Sequence, residues 1–159
     1  MKSEEIEIFL KMIKSASYTL AVNVDDKNYK FQRALGCKIL NLHYRADWLE
    51  IDNILAREKN LFDISLYMLS DSQANGMLKQ WINGNRSNVM FMKLYAEDTF
   101  SDAETFKDIV SKAWEPSEKD EGPEGSGETE KLACIRRKCD GQMAKVKIIS
   151  NRLSFYFFG

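Results

Sequence analysis

The chain has 159 residues, with 23 basic and 24 acidic side chains and one His, for a formal net charge of -1. That length, with 44% hydrophobic residues, suits one globular domain and excludes both global disorder and a generic polyanion-binding charge. No run approaches the ~18 uncharged apolar residues of a membrane span, and the N-terminus lacks the apolar core of a secretory signal. The expectation is an intracellular protein of cytoplasm or nucleus, without membrane association, in which Cys37, Cys134 and Cys139 stay free thiols.

In chain order, Ser3 can cap a helix over about 3–16, with Ile6, Phe9, Leu10 and Ile13 at helical spacing. Tyr18, Leu20, Val22 and Val24 alternate as in a half-buried strand, and Leu40, Leu42 and Tyr44 mark a second strand over 38–44. Asp47 to Lys59 reads as a helix, with a hairpin end at Trp48–Ile51 as the alternative. Phe62, Ile64, Leu66 and Met68 make a third strand. A helix beginning at Asp71 or Ser72 carries Leu78, Trp81 and Ile82 and ends at Gly84. Val89 to Ala96 is nearly continuously apolar, the pattern of a central strand covered on both faces. Ser101 and Glu104 fit a capping box for a helix whose stripe is Phe106, Ile109, Val110 and Ala113.

Glu115 to Glu130 holds seven acidic residues and one Lys, with no apolar anchor, and reads as an acidic disordered linker or loop. Residues 131–159 carry seven basic residues against Asp140 alone. Leu132–Lys138 and Met143–Ile149 flank Asp140-Gly141, a type I′ hairpin signal, and Leu153–Phe158 adds a third strand. The fold class expected is α+β: a mainly antiparallel sheet covered by three or four helices, with a C-terminal three-stranded meander. The organisation expected is a body over 1–114, the linker over 115–130, and a basic meander over 131–159 packed on the body within one domain.

A two-residue turn at Asp140-Gly141 pairs Cys139 with Gln142 and fixes the faces. Ala133, Ile135, Ala144, Val146 and Ile148 share one face, interrupted by Arg137. Arg136, Lys138, Lys145 and Lys147 share the other, with Arg136 opposite Lys145, an unfavourable pair of like charges. This basic face can be solvated, can meet an acidic partner surface or the linker, or can bind phosphate of RNA or DNA. Few aromatic residues accompany it, which leaves base stacking without a platform. Trp114, beside Pro116, is a further candidate partner contact.

No catalytic set is assembled in the sequence. His43 stands alone; Asp47, Glu50, Asp52 and Glu58 match no metal motif; no phosphate loop or zinc ligand spacing occurs, and no cofactor or metal is expected. The leading expectation is a non-catalytic protein–protein interaction module, a subunit of a larger complex. The alternative is an RNA- or DNA-binding protein using Arg136, Lys138, Lys145 and Lys147. The third is a small enzyme with a site assembled in the fold around His43 or the Asp47–Glu58 carboxylates.

Overall fold

The computed structural model describes residues 1–84, 88–114 and 130–157. It is an α+β arrangement of one eight-stranded sheet and, among the described residues, four helices. In chain order these are α1 (Ser3–Met12), β1 (Ser17–Leu20), β2 (Ile39–Arg45), a 3-10 turn (Ile51–Asn53) running into α2 (Ile54–Arg57), β3 (Asp63–Leu69), α3 (Asp71–Asn83) and β4 (Phe91–Ala96). Then follow α4 (Asp102–Thr105), β5 (Ser111–Ala113), β6 (Glu130–Arg136), β7 (Met143–Ile149) and β8 (Arg152–Phe157). The acidic segment expected to be disordered lies outside the described residues except for Glu130, which opens β6.

The strands lie in the order β1-β2-β3-β4-β8-β7-β6-β5. The pairings among β1 to β4 are parallel and the other four are antiparallel, so the sheet is mixed where a mainly antiparallel one was expected. The reason lies in the connections. The stretches 21–38, 46–62 and 70–90 are long enough to carry the chain back across the sheet, whereas only the later strands are joined by tight turns. β1 to β4 are also adjacent in the order they occur, so the chain coils like a short solenoid before it folds back on itself.

Every strand from β1 to β4 and from β6 to β8 buries alternate residues on one face. Leu40 and Leu42, Ile64 and Leu66, Met92 and Leu94, Val146 and Ile148, and Leu153 and Phe155 are all in the core. α3 lays Ala74, Met77, Leu78, Trp81 and Ile82 into the same core, and α1 contributes Ile6 and Leu10. Leu66 and Leu69 are both buried although three residues apart. A register shift between them, with Met68 at φ 59°, inserts a bulge that returns Leu69 to the covered face.

α3 begins at Asp71, one of the two starts its pattern allows, behind Ser70 as its cap. Ser70 Oγ accepts the Gln73 N–H at 3.2 Å, and Gln73 Oε1 accepts the Ser70 N–H at 2.9 Å, a reciprocal capping box. The helix expected over 47–59 is reduced to the 3-10 turn and α2, and α1 ends at Met12. The helix expected after Ser101 is a single turn. Asn75, buried in α3, donates to the carbonyls of Thr105 and Lys107 at 2.9 Å each, and Asp108 turns left-handed at φ 58°. The freed chain then pairs as β5 with β6. β4 is central but covered on one face only: Lys93 is exposed, and Phe91 and Tyr95 are half-buried.

Gly84 ends α3 with φ -71°, not with a left-handed cap, and its smallness serves sterics instead. A methyl group there would stand 2.6 Å from the Gln80 carbonyl oxygen, whereas one at Gly76 would meet nothing within 4 Å. The two glycines of α3 therefore have opposite expected responses in chemical denaturation. Gly84→Ala costs about 1–3 kcal/mol. Gly76→Ala gains about 0.5–1 kcal/mol by removing backbone freedom from the unfolded chain.

No helix among the described residues is long and apolar enough to cross a membrane.

Candidate interaction surface

The face of the sheet opposite the core is only half-shielded, and the strand register sets out its side chains in rows. One row runs Ile39, Asp63, Phe91, Tyr156, Lys145, Cys134 and Lys112 across β2, β3, β4, β8, β7, β6 and β5. The next runs Thr19, Asn41, Ser65, Lys93, Ser154, Lys147 and Leu132. A third carries Tyr95, Arg152, Ile149 and Glu130, with Tyr67 and His43 beyond Tyr95. Two aromatic rows thus flank a polar one.

The rings pack on each other. Tyr67 and Tyr95 stack with centroids 4.2 Å apart and planes within 9°, and His43 leans on Tyr67 at 5.1 Å. Phe62, which precedes β3, meets Phe91 edge-on at 5.5 Å, and Phe91 meets Tyr156 edge-on at 6.3 Å. Burial and the neighbouring phenol both push the Tyr67 hydroxyl above its ordinary value. Asp63, beneath this cluster, has its carboxyl raised by burial, with Lys93 acting against the shift. Phe62 and Ile39 remain 44% and 36% exposed, on either side of Asp63, so apolar surface faces outward here.

The basic hairpin joins this face at its far end, with a different register from the expected one. Arg136 lies opposite Met143 and Cys134 opposite Lys145, a shift of two residues. The Arg137 N–H donates to the Gln142 carbonyl and the Gly141 N–H to the Arg137 carbonyl, so the connection is a four-residue loop, 138–141. Gly141 alone takes a positive φ, 74°, in place of the paired positive angles of a type I′ turn. A shift of two preserves the pleat, so the residues assigned to each strand face stay there. Two consequences follow: the clash of Arg136 with Lys145 is absent, and Lys138 falls in the loop.

Of the candidate contacts, Trp114 and Lys145 are brought together, with the ammonium 4.2 Å from the ring centroid. Lys147 is ion-paired with Glu130, and Arg136 Nε lies 3.4 Å from Met143 Sδ. Arg137 is the buried member of the group. It is 5% exposed, its guanidinium lies 5.2 Å from both the Trp81 and Phe157 rings, and it binds the Asp140 carboxylate at 2.6 Å.

His43 is exposed on the aromatic face. Of the Asp47–Glu58 carboxylates, Glu50 and Glu58 flank the Arg57 guanidinium, and Asp47 lies apart from them on Arg45. Asp47 lies 3.9 Å from Arg45, Glu50 lies 3.7 Å from Arg57, and Glu58 is turned inward onto the backbone of Leu35 and Gly36. Among the described residues no group of three or more His, Cys, Asp or Glu is placed to hold a metal ion.

No protein-family model matches the chain, and no curated protein or solved structure is significantly similar to it. The surface is therefore read from its own chemistry.

The near-continuous apolar run of β4 masks these aromatic rows, since it fits a strand covered on both faces while β4 buries only one. Their signal is nonetheless present: Tyr67, Phe91, Tyr95 and Tyr156 all occupy the outward phase of strands whose inward phase is apolar.

The three cysteines are free and differ in exposure: Cys37 is buried, Cys134 half-buried and Cys139 exposed. Burial, with the Glu58 carboxylate nearby, pushes the Cys37 thiol up to about 11. At pH 8 a thiol reagent is expected to label Cys139 first and Cys37 only after unfolding. Mass mapping of the native and urea-unfolded protein checks this, and fast native labelling of Cys37 would contradict it.

Proposed function

We propose that the chain is a non-catalytic intracellular protein–protein interaction module, a subunit of a larger complex, that meets its partner through the outward face of the sheet. The observation that carries the reading is the outward aromatic strip of Phe62, Phe91 and Tyr156, which lies beside Asp63 and the polar row on a broad sheet face. Clustered aromatic anchors of this kind dominate the energetics of protein interfaces. The charges around the strip are mostly basic, Lys93, Lys112, Lys145, Lys147 and Arg152 against Asp63 and Glu130, so the complementary partner surface sets acidic groups beside apolar ones.

A second reading, single-stranded RNA or DNA, is favoured by Lys145 lying next to Tyr156 and beneath Trp114. It is the weaker of the two because Tyr67 and Tyr95 spend a ring face on each other, and Phe62, Phe91 and Tyr156 pack edge to face. Bases need exposed ring faces.

The deciding experiment is affinity isolation from native extract, with and without nuclease, using the natural chain and Phe62→Asp combined with Lys93→Glu. A stoichiometric protein that survives nuclease and is lost with the double variant supports the docking reading. Recovery that depends on nucleic acid, falls steeply with salt and is lost on charge reversal of Arg136, Lys145 and Lys147 overturns it.

A further inference from the structure

A second surface lies away from the aromatic rows, where the end of α3, the segment before β5 and the 138–141 loop meet. They enclose an open cavity of about 530 Å³. Its floor and lip are apolar: Ile82 from α3, with Ile109 and Val110. Val110 is 91% exposed, which is unusual for a β-branched aliphatic side chain.

The rim is cationic. Lys79 is paired with Asp108 at 3.7 Å and Arg137 with Asp140 at 2.6 Å. That leaves Arg136 and Lys138 at the rim, neither forming an ion pair with any described residue, so the cavity has a surplus of two positive charges. A guanidinium beside an ammonium over an aliphatic floor suits a ligand that brings carboxylate and apolar groups together.

Geometry narrows the ligand further. β5 begins at Ser111, directly after the lip residue Val110, and pairs with Ile135 of β6, the residue before Arg136. β5 is the last strand of the sheet, so the backbone groups on its outer edge are unpaired among the described residues. An extended peptide can add to such an edge by main-chain hydrogen bonds and use the adjacent pocket for side-chain selection.

We propose that this cavity and the β5 edge form a docking site for an extended acidic segment of a partner protein. One apolar side chain of the segment seats on Ile82, Ile109 and Val110, and its flanking carboxylates meet Arg136 and Lys138. Arg136 also stands on the outward face of β6, but the site uses none of the aromatic rows and is tested independently of them.

The test is fluorescence anisotropy on the purified full chain with the labelled peptide Glu-Asp-Val-Phe-Val-Asp-Glu. Comparison peptides replace its acids with Lys, its apolar residues with Ser, or its central Phe with Pro. The acidic apolar peptide is expected to bind saturably, and each of the others is expected to lose at least about tenfold in affinity. Arg136→Glu with Lys138→Glu, and separately Val110→Asp, are expected to cost about tenfold or more. All three substituted residues are exposed, so circular dichroism is expected to stay native. Phe62→Asp with Lys93→Glu, on the other surface, is expected to leave binding unchanged. Absence of saturable binding, equal binding of the Lys peptide, or unchanged binding in the Arg136/Lys138 variant would overturn the proposal.

Discussion

Replacing Arg137 with Ala is expected to lower stability by about 3 kcal/mol, among the largest effects available to one substitution in this chain. The side chain interrupts the apolar face of β6, yet it is more than nine-tenths buried. Its guanidinium lies over Trp81 and Phe157, so part of its contribution is packing of a flat cation on two aromatic faces. Its nitrogens are bound by Asp140 and Gln142. Truncation opens a void beside Trp81 and leaves Asp140 and Gln142 without their guanidinium, so the 138–141 loop keeps only its backbone closure. Arg137→Lys is expected to recover only part of the loss, because an ammonium can neither chelate the carboxylate with two nitrogens nor stack flat on the rings.

The pair also imposes a pH dependence. Hydrogen bonding from Arg137 is the chief cause that holds the Asp140 carboxyl below its ordinary 3.8. The native state therefore favours the ionised form. The associated stability is present above about pH 3.8 and is lost as pH falls through the lower native value. Denaturation curves collected between neutral and strongly acid pH are expected to show this loss in the natural protein and to lack it in Arg137→Ala. An identical acid dependence in both would remove the pair from the explanation.

The second large effect is expected at Glu58. Its side chain is wholly shielded, and its carboxylate accepts the N–H groups of Leu35 and Gly36 at 2.7 and 2.9 Å. These lie in the 21–38 connection, which has no helix or strand of its own to satisfy its backbone. Gly36 sits at φ 69°, so the amides are presented by a left-handed turn that glycine adopts without strain. Glu58→Ala takes the acceptor from the part-buried Leu35 and Gly36 amides and deprives Arg57 of an acceptor 3.5 Å away, at a cost of about 2–3 kcal/mol. Glu58→Gln keeps one good acceptor and turns an amide NH₂ toward the other donor, for roughly half that loss. Hydrogen exchange offers a second readout: the Leu35 and Gly36 amides are expected to lose protection in Glu58→Ala well beyond the global change. Unchanged protection there would show that other contacts hold the turn.

These two residues mark the boundary of what the chain makes legible. Alternation places β2, β3, β7 and β8 within a residue or two, and helical spacing of Leu78, Trp81 and Ile82 between Asp71 and Gly84 places α3, because each pattern is local. Arg137 stands as an interruption of an apolar face and Glu58 as one charge among several, because what buries each lies far off in sequence, the Trp81 ring for one and the Leu35 and Gly36 amides for the other, even though Asp140 is only three residues from Arg137. The lost helix after Ser101 has the same origin. Its cap is intact, with Ser101 Oγ accepting from the Glu104 N–H at 3.4 Å, but Asn75 takes the carbonyls that would have extended it. The candidate cations were correctly assigned by face, since a register error of two residues does not invert the pleat, and Lys138 was lost only because the loop is longer. The aromatic rows emerged only when four separate strands were set side by side.

The strand order has a consequence for how the chain acquires its fold. β8 is the last of the eight strands to be synthesised, yet it sits in the middle of the sheet, between β4 and β7. Until it emerges from the ribosome, β4 and β7 each expose an open edge, and Trp81 lacks Phe155, its ring partner at 5.0 Å. The two halves of the sheet can form as separate units during translation, but they are joined only by this final insertion, a late step that depends on contacts distant in sequence. Nascent chains stalled before Arg152 are therefore expected to be the aggregation-prone and chaperone-bound species, and those extended past Phe157 the protease-resistant ones.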